Sequence, residues 1–147
     1  MKTTKTDIKY VEWLSAEVMH KNSIEWLSEL RFINNELLFF DDLIKSYTLQ
    51  LIDTKHFDES KKVVDKLETS HKKTNYLIKI IQVHQNDLKI MVDGLDQPKE
   101  EEEYKNEHRK FIIMNNEFLK TYRILKTEIF DLIKSILKEQ KQKRLLQ

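Results

Sequence analysis

The chain has no cysteine among its 147 residues, and it has only one glycine and one proline. Without cysteine, a disulfide framework, thiolate chemistry and a Cys-based zinc site are excluded. Tight turns between strands rely on Gly and Pro, so their scarcity leaves little room for β-sheet structure. Because Gly94 is the only glycine, no Gly-rich loop can cradle a phosphate and no serine sits in a Gly-flanked nucleophile turn. An enzyme is therefore not indicated.

An excess of one charge sign and a long apolar run are also missing. The 26 basic and 25 acidic residues give a net charge of +1. Binding to nucleic acid as the main partner requires a concentrated excess of Lys and Arg, so we do not expect it. No stretch approaches the roughly 18 apolar residues of a membrane-spanning helix, and the N-terminus lacks the apolar region of a signal peptide. We expect a cytoplasmic protein without a transmembrane segment.

What the chain does contain is apolar residues repeating at three- and four-residue steps, the spacing of one helix face. The pattern predicts helices at about 7–21, 23–53, 58–93 and 98–142, followed by a polar C-terminal tail, in a single domain covering 1–147. At Lys21-Asn22-Ser23 either Asn22 or Ser23 can cap a new helix. Residues 7–21 therefore either extend the first long helix or form a separate one.

The predicted helix lengths indicate how the apolar N-terminal segment is covered. At 1.5 Å per residue the outer helices are longer than the middle one, so the segment before about residue 17 overhangs it. This segment carries Ile8, Val11, Trp13 and Leu14. It either folds back as a fourth helix or is covered by a second chain. We predict an all-α, antiparallel up-down bundle of three long helices that self-associates.

Four of the five histidines lie on the apolar stripes, which is unusual for a residue that is often at the surface. Folding the chain about its two predicted connections places His84 at the level of His108, and His71 opposite Asp41. The simplest structural interpretation of each is an imidazole at the edge of the core whose ring nitrogens hydrogen-bond to a neighbouring group. His71 and Asp41 are predicted to form a polar pair that fixes register. His56 falls in a loop and is given no role.

The functional interpretation of the histidines is a metal site at one end of the bundle. Imidazole and carboxylate groups are the ligands that bind Zn²⁺, or iron and manganese, in helical bundles. His84 and His108 would combine with Glu25 or Glu29 of the first helix. His20, with Glu17 three residues before it, lies within two turns of the same layer. The candidate metal ligands are thus His84, His108, His20, Glu17, Glu25 and Glu29.

Two hypotheses of different classes follow, and the chain is assigned to no family. The leading one is a non-enzymatic, cytoplasmic interaction or scaffold protein that self-associates or takes a partner helix into a groove. The alternative is a metal-binding four-helix bundle that uses Zn or Fe/Mn at the His/Glu cluster. A third option is contact of the basic tail, Lys138–Arg144, with a membrane surface or RNA.

Overall fold

The computed structural model describes residues 15–53, 55–93 and 98–146, which are almost entirely helical. Three helices are long: α1 spans Ala16–Ser46, α3 spans Phe57–Asp93 and α4 spans Pro98–Leu146. A single short turn, α2, spans Thr48–Leu51 between α1 and α3. No strand occurs within the described ranges. The predicted all-α bundle of three long helices is confirmed.

The three long helices pack as an up-down bundle with one looser side. The backbone of α3 lies close to both α1 and α4, whereas α1 and α4 approach each other least. Large side chains bridge that wider gap. Trp26 of α1 stacks on His108 of α4 with 4.8 Å between ring centroids, and Phe40 meets Phe130 edge-on at 5.7 Å. The α1–α4 side is therefore closed by aromatic rings instead of by close backbone packing.

The first long helix runs without a break through the position where a new helix could begin. Ser15 is its N-cap, and the Ser15 hydroxyl accepts a hydrogen bond from the backbone N–H of Val18 at 3.3 Å. Ser23 does not act as a cap because its hydroxyl donates to the carbonyl of Met19, one turn earlier, at 3.0 Å. Of the two predicted alternatives, extension of the first long helix holds for residues 16–21, which belong to α1. Residues 7–14 lie outside the described residues.

The first connection also differs from the predicted boundary at residue 53. Helix α1 ends at Ser46, where the hydroxyl of Thr48 donates to the carbonyl of Lys45 at 2.7 Å. Such side-chain bonds to the backbone compete with the helical ladder. The short α2 follows, and the buried Ser60 hydroxyl of α3 donates to the carbonyl of Leu51 at 2.9 Å. This bond fastens the connection to the first turn of α3.

The core consists of two apolar clusters separated along the bundle axis. The larger one runs from Trp26 and Phe111 through Leu37, Leu77 and Ile129 toward the first connection. The smaller one joins Met19, Leu88 and Tyr104 near the start of α1, the end of α3 and the start of α4. Between the two clusters lies a layer of buried polar side chains: Ser23, His84 and His108. This polar layer is the feature of the core that apolar packing does not explain.

The last helix continues to Leu146, four residues past the predicted end at 142. Residues 141–146, with Leu145 and Leu146, are exposed on this final turn and a half. The predicted polar tail is therefore helical up to residue 146. None of the described helices combines the length and apolar character needed to cross a membrane.

Candidate functional site

The polar layer is centred on two histidines that face each other from α3 and α4. His84 and His108 are both 0% exposed, and His84 Nε2 lies 3.0 Å from His108 Nδ1. They meet because α3 and α4 run in opposite directions from the 94–97 connection, which puts the two residues at the same level. The structure thus brings together the two histidines that the sequence placed in one layer.

Aromatic rings enclose the histidine pair. Tyr104 stacks on His84 with 4.0 Å between ring centroids and 3° between ring planes, and Phe111 meets the same imidazole edge-on at 4.6 Å. Trp26 stacks on His108 from the α1 side. Three aromatic side chains from two helices therefore keep water away from the imidazoles.

This enclosure determines the charge of both rings. Burial, with a smaller contribution from repulsion by His108, lowers the pKa of His84 to about 3. Burial alone lowers the pKa of His108 to about 4. Charging an imidazole in this apolar setting costs more than charging it in water. Both histidines are therefore neutral at neutral pH, and each has one ring nitrogen that carries a proton and one that does not.

Asn22 of α1 extends the histidine pair into a longer row of hydrogen-bonding groups. Its amide Nδ2 lies 3.4 Å from His108 Nε2. With the Asn22 amide in this orientation its NH₂ group donates, so His108 Nε2 accepts and the proton of His108 sits on Nδ1. His108 Nδ1 then donates to His84 Nε2, and the proton of His84 is left on Nδ1. Donors and acceptors alternate in one direction, from Asn22 through His108 to His84.

The chain of hydrogen bonds ends in an unsatisfied atom. His84 Nδ1 is buried and has no hydrogen-bond partner among the described residues. The nearest carboxylate is that of Glu107, whose Oε2 lies 3.8 Å away and whose side chain is 49% exposed. That distance is too long for a hydrogen bond. The buried end of the chain is thus directed at a carboxylate without bonding to it.

Glu107 belongs to an acidic groove between α3 and α4. The groove, about 390 Å³ in volume, is lined by four carboxylate side chains together with two apolar side chains and one tyrosine: Asp87, Glu100, Glu103, Glu107, Ile90, Met91 and Tyr104. Partial burial and the nearby charge of Asp87 raise the pKa of Glu107, and Lys110 opposes this rise. Among the described residues, no basic side chain lines the groove.

Burial also raises the pKa of Tyr104, the ring between His84 and this groove. The Tyr104 hydroxyl has no partner of good hydrogen-bond geometry, although the Ser23 side chain counteracts part of the pKa rise. Tyr104 therefore stays protonated at neutral pH.

The other predicted metal ligands lie elsewhere. Toward the histidine pair α1 presents Asn22 and Trp26, whereas Glu25 and Glu29 are half-buried on the same helix. His20 lines a different groove, between α1 and α3, with Arg31 and Lys89 in its wall. Glu17 is exposed in the first turn of α1.

Metal binding by the predicted set of six residues stays a prediction. Within residues 15–53, 55–93 and 98–146, no group of three or more His, Asp or Glu side chains is arranged to hold a metal ion. Of the six, the structure brings together His84 and His108 alone.

Two further histidines show where the sequence interpretation succeeded and where it failed. His71 Nε2 lies 2.7 Å from Asp41 Oδ2, which confirms the predicted register pair. His56, by contrast, was predicted to lie in a loop and was given no role; it does lie in the turn just before α3, but with structural partners. It is buried, and its Nε2 lies 3.0 Å from Glu139 Oε2 of α4. The signal that could have revealed it is the antiparallel fold itself, which returns the end of α4 to the first connection.

Asn22 and Tyr104 are the site residues that sequence reasoning assigned to other roles. Asn22 was considered as a helix cap, and Tyr104 as part of an apolar stripe. Their register relative to His84 and His108 was the available signal, since each lies four residues from a residue of the site on its own helix.

Comparisons with family models, curated proteins and solved structures found no match. Function must therefore be inferred from the site and the surface.

Proposed function

We propose that this chain is a non-enzymatic, cytoplasmic interaction protein that self-associates through an aromatic surface on α1 and α4. The surface, called here the aromatic face, comprises Phe32, Phe39 and Phe130. Their side chains are 64%, 57% and 47% exposed, respectively, and this exposure carries the proposal. Large aromatic side chains contribute strongly to protein interfaces, and clustered exposure of this kind is typical of a binding surface.

Phe32, Phe39 and Phe130 lie on two helices, and the buried ring of Phe40 links Phe39 to Phe130. Phe32 and Phe39 are seven residues apart, so they share one side of α1. The ring of Phe39 lies 5.8 Å from that of the buried Phe40, whose ring in turn contacts Phe130 of α4 at 5.7 Å. The face therefore spans the α1–α4 side of the bundle, where the two backbones are farthest apart.

The charges around the face favour a second copy of the same chain as its occupant. On α1 the phenylalanines are flanked by Glu36 and the exposed Asp42, and on α4 Phe130 is flanked by the exposed Arg123 and Lys134. A two-fold dimer brings the α1 side of one copy against the α4 side of the other. This arrangement covers the phenylalanines and places the exposed Asp42 of one copy on the side of the exposed Arg123 and Lys134 of the other, whereas Glu36 already pairs with Lys126 of its own chain at 3.1 Å.

The test is the molar mass in solution, measured by sedimentation velocity over a range of concentrations. We expect a dimer for the natural chain and a monomer for the Phe32→Gln, Phe39→Gln double variant. The control is Val83→Gln, which changes a 54% exposed apolar residue on α3, away from the aromatic face. It should remain dimeric.

Circular dichroism checks that each variant is folded, since exposed positions tolerate polar residues. A natural chain that stays monomeric at every concentration would contradict self-association and leave the face to a different protein. A dimer that survives the double substitution would place the interface elsewhere.

A further inference from the structure

A second groove, between α1 and α3, belongs neither to the aromatic face nor to the histidine pair. It is about 590 Å³ in volume. Its α1 wall consists of residues at three- and four-residue steps, which share one side of that helix: His20, Ile24, Leu27 and Arg31. Its α3 wall is polar throughout: Gln82, Gln85, Asn86 and Lys89. We propose that this groove, called here the basic groove, binds an acidic segment of a partner protein in extended conformation.

The charges of the basic groove favour an anionic ligand. Because α1 and α3 run antiparallel, Lys89 lies at the His20 end of the groove and Arg31 lies at the other end. Arg31 and Lys89 are both exposed, and neither has an ion-pair partner within residues 15–53, 55–93 and 98–146. No carboxylate of these residues lines the groove. Two cations that share a groove without a counter-charge attract a ligand with negative charge at both ends.

The amide side chains of the α3 wall favour a peptide over a simple anion. Gln82, Gln85 and Asn86 each carry two N–H donors and one carbonyl acceptor. None of these amides hydrogen-bonds to another residue in the part of the chain that the structure describes. An extended peptide presents N–H and C=O groups along its edge, and side-chain amides pair with both kinds. A phosphate ion or a free carboxylate offers acceptors alone, so it would leave the amide carbonyls without partners.

The distance between the charges determines the sequence of the segment. A helix rises about 1.5 Å per residue, so the groove is about 17 Å long from His20 to Arg31. In an extended peptide, residues i and i+4 lie about 13–14 Å apart and point to the same side, as does residue i+2 between them. Acidic side chains at i and i+4 therefore reach Arg31 and Lys89. Residue i+2 then faces Ile24, whose side chain is 46% exposed, and should be apolar.

The test is titration of the full chain with the synthetic peptide Ser-Glu-Ser-Leu-Ser-Glu-Ser, blocked at both ends and followed by nitrogen-15 NMR. We expect the side-chain amide signals of Gln82, Gln85 and Asn86 to shift and to saturate, with a dissociation constant below about 1 mM. A peptide with glutamine in place of both glutamates should not bind measurably. A peptide with serine in place of leucine should bind more weakly, because it leaves Ile24 exposed to water.

Variants of the chain test the two charges separately. Arg31→Gln and Lys89→Gln should each weaken binding by about threefold, the effect of losing one exposed ion pair, and the double variant by about tenfold. The matched control is Lys120→Gln, which removes the same charge from an exposed position on α4 and should leave the affinity unchanged. All three positions are exposed, so the variants should keep the helical circular dichroism of the natural chain.

Peptide binding and self-association can fail separately, since the aromatic face lies on another side of the bundle. The Phe32→Gln, Phe39→Gln double variant should therefore bind the peptide as the natural chain does. The proposal is overturned if the peptide causes no saturating shift, or if Lys120→Gln weakens binding as much as Arg31→Gln. It is equally overturned if inorganic phosphate shifts the same three amide signals with the same affinity, because the groove would then bind anions in general.

Discussion

Acid should destabilise this protein well above the pH at which its carboxylates are protonated, because His84 and His108 are buried in neutral form. In an unfolded chain each imidazole has a pKa near 6.5, whereas in the folded chain the values fall to about 3 and about 4. Below pH 6.5 the unfolded state therefore binds two protons that the folded state does not. Stability is fully present above that pH and is lost as the pH falls toward 4 and then 3.

The size of the effect follows from these values. Each histidine destabilises the fold by about 1.4 kcal/mol per pH unit once the pH is well below 6.5. Between pH 7.5 and pH 5 the loss is about 2 kcal/mol for each ring and about 4 kcal/mol together. A domain of this size has a total stability of roughly 5–15 kcal/mol, so the predicted loss is a large fraction of it.

The groups around the pair do not reverse the sign. On α1 Asn22 and Trp26 do not titrate, and on α4 Tyr104 stays protonated throughout the range. Glu107, next to Asp87, has a raised pKa. A carboxylate of that kind stabilises the fold as the pH falls, so it can only reduce the slope.

The assay is urea unfolding at pH 7.5, 6.5, 5.5 and 5.0, followed by circular dichroism and tryptophan fluorescence. The His84→Gln, His108→Gln double variant should lose most of the slope, because glutamine keeps polar atoms without titrating. His20→Gln, at a half-buried position in a different groove, should keep it. A change in unfolding free energy below about 1 kcal/mol over this range would refute the reasoning, as would an equal slope in the double variant.

Two other positions give sharp tests. Asn115 is 4% exposed, and its Nδ2 has no partner among the described residues. Asn115→Leu replaces that unsatisfied NH₂ group with an apolar side chain of similar size, so it should raise the free energy of unfolding, measured in urea, by about 1–2 kcal/mol. A loss of stability would show that the amide is needed. Lys55 and then His56 hold the pKa of Glu139 at about 2, so its carboxylate stabilises the fold above its unfolded value of 4.5 and loses that contribution as the pH falls toward 2. Carbon-13 NMR should show this low value, and Lys55→Met should move it upward; an ordinary value in the natural chain would contradict the Glu139 contacts.

The sequence was sufficient for the architecture because helix formation depends on local information. Apolar steps of three and four residues, with almost no Gly or Pro, determine where helices form and which faces they bury. Short connections then make consecutive helices antiparallel, so register follows from counting along the chain. That is why the sequence alone places His84 beside His108, and His71 beside Asp41.

Boundaries were less accurate because capping is a competition between hydrogen bonds of similar energy. Ser23 can satisfy an N-terminal amide or bond back to the preceding turn, and burial between α1 and its neighbours selects the second. At the other end of α1, the backbone of Tyr47 leaves the helical conformation (φ −110°, ψ 21°), although the apolar pattern extends to residue 53. Neither choice can be read from residue type alone.

What the sequence determined by itself was the helical bundle, its register and the meeting of two histidines. What only the tertiary structure decided was the surroundings of those histidines: Asn22 and Trp26 on the α1 side, Tyr104 against the His84 ring, and Glu107 opposite its free nitrogen. The physical reason is rotation. When a helix rotates about its own axis by one residue, each side chain points about 100° away from its former direction and meets different neighbours. The packing of all three helices together fixes that rotation.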